Sequence, residues 1–439
     1  MNLRRARVLA IAVSHTAALA GGAAVAATHH VPVDYPTINA AIDAAVSGDT
    51  VLVSPGIYSD WEIRPIPGGE VHALVFAKSG VSLVGAAGPE VTILNIPDMG
   101  ADGVALWASD LEQFYFAGFT VRTDILGHHG SLIRYSQEVT VENCHFVGID
   151  PIAGAGSGIR SFDTNLTIRD CLFEECVGIV SAVYHLDGDF TMTGSSFRNN
   201  QGRAVHTATL APLSTTTLIS ECEFLNTVPS IYGFGGGLNA SARWVTVENC
   251  HVRGGEDDVT SLAMSVAAWG DAVVRGCTVV DNGPSEGTSI EATGTLSVLV
   301  ENNTIHGAEI TTGGPGAAIR TGTGTAIVRG NLITGCRGNT AISSQYSAGS
   351  GCNVFWDNEY GAGVELTPTD VVADPQYCDP ATGDYHVRSN SPCLPENSPE
   401  GCGPIGALGL GCGVLGVESK SWGRIKADYR ESSEGRDER

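Results

Sequence analysis

Nine segments of this chain carry one apolar beat, with spacings of two, three and two residues. They are Phe114/Phe116/Phe119/Val121, Val139/Val141/Cys144/Phe146, Leu166/Ile168/Cys171/Phe173, Phe190/Met192/Ser195/Phe197, Thr217/Ile219/Cys222/Phe224, Val245/Val247/Cys250/Val252, Ala272/Val274/Cys277/Val279, Val298/Val300/Asn303/Ile305 and Ala326/Val328/Asn331/Ile333. Thr217 makes its segment the poorest fit. A spacing of two is the signature of a half-buried strand, because alternate side chains share a face. The single spacing of three adds one residue and turns the strand through a corner. That residue is Gly118, Asn143, Asp170, Gly194, Glu221, Asn249, Gly276, Asn302 or Gly330. All but Glu221 are Gly, Asn or Asp, the types that tolerate a left-handed backbone.

The beat ends at residues 121, 146, 173, 197, 224, 252, 279, 305 and 333, so it recurs every 24 to 28 residues. A fixed period of this length marks a solenoid. With no amphipathic helix between copies, leucine-rich and helical repeats are excluded, and a coil of short parallel strands remains. The residue after each corner reads Phe119, Cys144, Cys171, Ser195, Cys222, Cys250, Cys277, Asn303, Asn331. In register these form a cysteine column followed by an asparagine column. Such a line lacks the paired spacing of a tetrahedral metal site, so it reads as small residues filling a tight corner.

A solenoid grows by adding turns, so 439 residues need not mean several domains. The 56 glycines and 7% aromatic content suit a turn-rich β protein. The formal charge of −24 argues against nucleic acid and anionic membranes as partners. Residues 1–27 have the form of a secretion leader: Arg4, Arg5 and Arg7, then an apolar run from Val8 to Val25, then Ala24-Val25-Ala26 as a cleavage site. An uncleaved anchor is the alternative. No later stretch is long and apolar enough to span a bilayer. The expected location is therefore secreted or cell-envelope, in a bacterial extracellular or periplasmic space, where the twelve cysteines meet oxidising conditions. Neighbouring stacked cysteines are poorly angled for bonding, so they are expected to stay free.

Residues 28–58 predict a cap and a first strand. Ile38, Ala41, Ile42, Ala45 and Val46 share one helical face, between Pro36 and Gly48. Such a helix would cover the open end of a coil, whose bare strand edges invite aggregation. The stretch YPTINAAIDAAVSGDTVLVSPGIY resembles the N-terminal cap of secreted right-handed parallel β-helix proteins of the pectin-lyase-like superfamily. VTVENCHF and VLVENNTI resemble its repeats. The resemblance spans residues 31–415 and implies an all-β, right-handed parallel β-helix over 59–373. It also implies a closing segment over 374–415 like that of many bacterial secreted β-helix proteins, with Cys378–Cys393 and Cys402–Cys412 as the expected bridges. Residues 416–439 read as a charged, disordered tail.

The superfamily mixes lyases, hydrolases, epimerases and adhesins, so activity must come from the residues. A second strand set precedes each beat, and its second position gives Arg134, Arg160, Tyr184, His206, Asn239, Glu291 and Arg320 in one expected outward file. Arginines pair with carboxylates in two-pronged fashion and tyrosine stacks on sugar rings, so Arg134, Arg160, Tyr184, His206 and Asn239 are the candidate polysaccharide-binding residues. His185, with Asp187 and Asp189, would supply acid or base. The hydrolase motifs of the superfamily are not reproduced. Asp257-Asp258, Gly127-His128-His129-Gly130 and Arg424-Ile425-Lys426 stand in the wrong order, and no Asn-Thr-Asp occurs. No cofactor is evident. Calcium is the ion that a lyase would need, and Asp150, Glu174, Glu175 and Asp257 make no dense cluster for it. The expectation is a monomer that binds, and if an enzyme cleaves, extracellular polysaccharide along an exposed sheet, as a lyase or glycoside hydrolase. The alternative is a structural or adhesin-like surface rod without catalysis.

Overall fold

Each beat folds as two short strands meeting at a corner, and a third strand completes the turn. The computed structural model describes residues 26–100, 103–151, 156–210, 214–226, 236–254, 263–281, 288–309, 317–322, 325–338 and 340–412. The leader, the tail and Asp257-Asp258 lie outside the described residues. Stacking the turns yields three sheets of 12, 13 and 12 strands, parallel throughout except for one edge strand of the third. Twelve rungs at the ~4.8 Å strand spacing make a rod about 50 Å long.

The register follows the beat. In the first sheet Val139 pairs with Leu166, then Phe190, Thr217, Val245, Ala272, Val298 and Ala326. In the second, Phe146 pairs with Phe173, then Phe197, Phe224, Val252, Val279, Ile305 and Ile333. Thr217, the poorest fit, still faces inward and is buried. All nine corner residues hold φ between +49° and +80°, Glu221 included at +55°. The rings of Phe146, Phe173, Phe197 and Phe224 stack down the interior at centroid distances of 4.7–5.2 Å.

The predicted column is present and buried along its length. Each cysteine satisfies its thiol by donating to the carbonyl two residues before it, as Cys171 does to Arg169 O at 3.2 Å. The thiols of Cys144, Cys171, Cys222, Cys250 and Cys277 are free. Below them, Asn303 Nδ2 donates to Asn331 Oδ1 (2.9 Å) and Asn331 Nδ2 to Asn353 Oδ1 (3.1 Å). The carboxamides also take the backbone N–H groups of Cys277, Asn303 and Asn331, each from the turn before. Asparagine succeeds cysteine where the corner offers a donor and an acceptor on every rung.

The cap helix runs Ile38–Ala44, with Thr37 accepting from Ala40 N at 3.2 Å as its N-cap. Ile38, Ala41, Ile42 and Ala45 cover the core as expected, but Val46 is 56% exposed because the helix has already ended. Asn39 seals the nearby edge: its Nδ2 donates to Leu74 O and its Oδ1 accepts from Phe76 N, both at 3.0 Å. Two features escaped the sequence reading. Thr28–Val31 adds a strand outside Thr50–Val53. Glu62–Ile66 and Gly69–Phe76 form an antiparallel hairpin among the early turns.

The C-terminal segment corrects the expected bridges. Cys352 bonds Cys402, and Cys378 bonds Cys412. Cys393 is instead a free, buried core residue, packed with Leu332, Val354, Val387, Leu394 and Ile405. Residues 374–412 pack on the last turns, with Leu332 and Val354. They lie along the outer face of the second sheet, where Tyr385 Oη donates to Asp281 Oδ1 (3.4 Å) and Ala407 N to Thr304 Oγ1 (2.9 Å).

Candidate functional site: an arginine–aromatic face on the third sheet

Alternation on the third sheet turns the second residue of each triplet outward. In register, Trp107, Leu132, Arg160, Tyr184, His206 and Asn239 form one file across six successive turns. The file continues through Ser265 and Glu291 to Arg320, and there Arg320 Nη1 is 3.6 Å from Glu291 Oε1. Arg134 is corrected by the register. It pairs with Ser109 and Phe162, so it stands in the neighbouring outward file, two residues along the strand from Leu132. The residue aligned with Ile159 is Ser131, not Ile133, so the triplet on this strand is Ser131-Leu132-Ile133.

The face is organised as arginines laid on rings. The Arg134 guanidinium carbon is 4.2 Å from the Trp107 ring centroid, and that of Arg160 is 4.9 Å from Phe162. Arg64 of the hairpin lies 4.5 Å from Phe76 on the adjoining turn. Tyr184 and His206 stack in parallel at 5.3 Å, 2° between planes. Arg203 Nη1 donates to His206 Nδ1 at 3.2 Å. Burial, aided by the nearby Arg203 charge, pulls His206 down to about 4, so its ring is neutral near pH 7. Burial also lowers Arg160, although a guanidinium remains charged.

The counter-charges are unevenly distributed. Arg64, Arg169, Arg198, Arg253, Arg275, Arg320, Arg329 and Arg337 each meet a carboxylate. On the first sheet, for example, Arg329 Nη2 lies 2.8 Å from Glu301 of the turn before. Arg134 and Arg160 have no such partner among the described residues, and the Nε of each is buried without a hydrogen bond.

His185 does not belong to this face. It points inward, is 1% exposed, and is held by Ser161 Oγ at Nδ1 (2.7 Å) and by Gly188 O at Nε2 (3.1 Å). Burial drives it down to about 4. Its companions are structural as well: Asp187 accepts from Leu210 N (2.9 Å) and Asp189 from Thr216 N (2.8 Å). The sequence reading missed Trp107, Phe162 and Arg203. Phe162, two residues from Arg160, was the available signal, whereas Trp107 meets Arg134 only through the register of successive turns. For calcium, no three His, Cys, Asp or Glu side chains converge as a metal site among the described residues.

A family model described as "Right handed beta helix region" matches residues 211–371. The chain is a right-handed parallel β-helix. Similar solved β-helices include the A-module of the Azotobacter vinelandii mannuronan C-5 epimerase AlgE6, at 18% identity, covering 76% of this chain and 93% of that one, with a TM-score of 0.35. Pectate lyase Pel9A is 12% identical, with 89% and 98% covered and a TM-score of 0.42. ORF18 of Geobacillus virus E2 is 14% identical, with 68% and 58% covered and a TM-score of 0.40. At these identities and scores the likenesses say nothing about activity in this β-helix. No curated protein sequence matches it.

Proposed function

We propose that this β-helix binds an acidic extracellular polysaccharide along the outer face of the third sheet, between Trp107 and Asn239. The observation that carries this reading is the pair Arg134 and Arg160. In a chain of net charge −24, both hold a guanidinium against an aromatic ring with no carboxylate beside it among the described residues. A ligand carboxylate or sulfate would supply the missing charge, and a guanidinium matches either with two parallel hydrogen bonds. Tyr184 on His206 offers a ring surface between those cations and Asn239. Six rungs of the file cover about 24 Å, enough to engage several sugar units. The reading is one of binding, since His185, Asp187 and Asp189 are committed to holding the backbone. Two disulfides favour an oxidising compartment, in keeping with a secreted or envelope protein.

The test is a glycan array of polyuronates, sulfated polymers and neutral glucans, read beside an assay for unsaturated uronate products. Acidic polymers should be retained, more weakly as salt rises. An Arg134→Ala/Arg160→Ala/His206→Ala variant should lose at least about tenfold in affinity, since charge-assisted bonds contribute ~1.5–3 kcal/mol each. Equal retention by that variant would remove the site. No binding to any acidic or neutral polymer would leave the rod as a surface scaffold.

A further inference from the structure

A second cavity lies on the other side of the rod, where the C-terminal segment meets the second sheet. Its floor is an outward file of three successive turns: His306, Thr334 and Trp356. Its wall is the strand-like run through Asp374, Gln376 and Tyr377, together with Arg388. The volume is about 350 Å³, at the small end of the ~300–1,000 Å³ of ligand pockets.

The site is held rigid by bonds that spend its structural groups and spare others. His306 Nδ1 lies 2.8 Å from Thr334 Oγ1, which also bonds Tyr377 Oη at 3.0 Å. Arg388 donates from its backbone N to Gln376 O (2.9 Å) and from Nη2 to Cys378 O (3.2 Å). The disulfide Cys378–Cys412 anchors the wall beside these contacts. Gln376 is fixed at φ +59°, a conformation that a long side chain adopts only under constraint. What remains for a ligand is the Trp356 indole, 43% exposed, and beside it the Gln376 carboxamide, with Asp374, whose Oδ1 accepts from Gln376 N at 2.8 Å, and Arg388, whose Nη2 is given to Cys378 O, offering only their remaining polar atoms. A flat apolar surface flanked by planar polar groups complements one kind of small molecule well. That molecule is a pyranose, with C–H bonds on one face and a rim of hydroxyls.

We propose that this cavity is a second carbohydrate site, taking a single pyranose unit on Trp356 with its hydroxyls on Gln376, Asp374 and Arg388. It is separate from the third-sheet face and does not depend on it. The test is ligand-observed saturation-transfer NMR on the full-length protein, with a panel of methyl pyranosides, neutral and uronic. At least one should bind with a dissociation constant on the order of millimolar, near −4 kcal/mol. Trp356→Ala and Gln376→Leu should each weaken it about tenfold or more. Trp356→Phe, which keeps a ring in place, should retain most of the binding and guards against loss through misfolding. The neutral pyranosides keep the two readings apart, because the third-sheet face calls for a ligand carboxylate or sulfate, and Leu296→Ala, at an exposed residue outside both surfaces, should leave binding unchanged. No saturation transfer to any pyranoside, or equal binding by Trp356→Ala, would overturn the proposal.

Discussion

At Glu221 the fold tolerates a residue that its corner disfavours. The position needs a left-handed backbone, and a glutamate there holds φ +55° with its side chain in solvent. Asparagine occupies three equivalent corners, so Glu221→Asn should raise stability by about 0.5–1 kcal/mol, visible as a higher urea midpoint with an unchanged slope. His185 makes the opposite kind of statement. Burial lowers it from 6.5 to about 4, so the unfolded chain takes up the proton first as pH falls. The stability contributed by its neutral ring is complete above pH 6.5 and is lost on the way down to about pH 4, a drop of ~3 kcal/mol for this group. His206 is lowered to a similar value and adds in the same direction. Denaturant midpoints measured from pH 7 to pH 4.5 should fall steadily, and His185→Gln should flatten part of that slope.

At the scale of the element, the asparagine column joins four turns through its own side chains. Asn331 accepts from both Asn303 N and Asn303 Nδ2, and donates to Val300 O and to the next rung. Truncating Asn331→Ala leaves buried donors of Asn303 unmatched above, while Asn353 Oδ1 keeps the backbone N–H of residue 331, at a cost on the order of 3 kcal/mol. Cys250→Ala, which removes one thiol from the same column, should cost less, and thermal melts of the two variants would rank them. These elements were legible because each is written locally: a period of two fixes a face, and a left-handed corner selects Gly, Asn or Asp. The hairpin at Glu62–Phe76 was not legible, because its strands pair with each other before joining the coil, outside the repeat. Arg134 was put in the wrong file for a local reason. An outward position is set by register, and Ile133 pairs with Ser161, the third residue of the next triplet, and not with its first, Ile159. His185 was misread for a related reason: one step along a strand reverses its direction.

At the scale of the whole molecule, what the sequence could not convey were contacts between distant segments. Cys352 lies in the last turns and its partner Cys402 in the closing segment, 50 residues later, so no local spacing reveals the pair. Closing a loop of that length contributes about 4 kcal/mol in the chain-entropy account. Mild reduction should therefore loosen residues 374–412 before the coil itself. Hydrogen exchange should detect this as lost protection at Val387 and Ile405 while Val141 and Val247 stay protected. The folding of residues 374–412 against the second sheet has a further consequence for how such a rod can meet its surroundings. Over its C-terminal turns, from Asp281 onward, one of its three long sides is roofed. A polymer or a surface lying lengthwise beside those turns has only two flanks to meet.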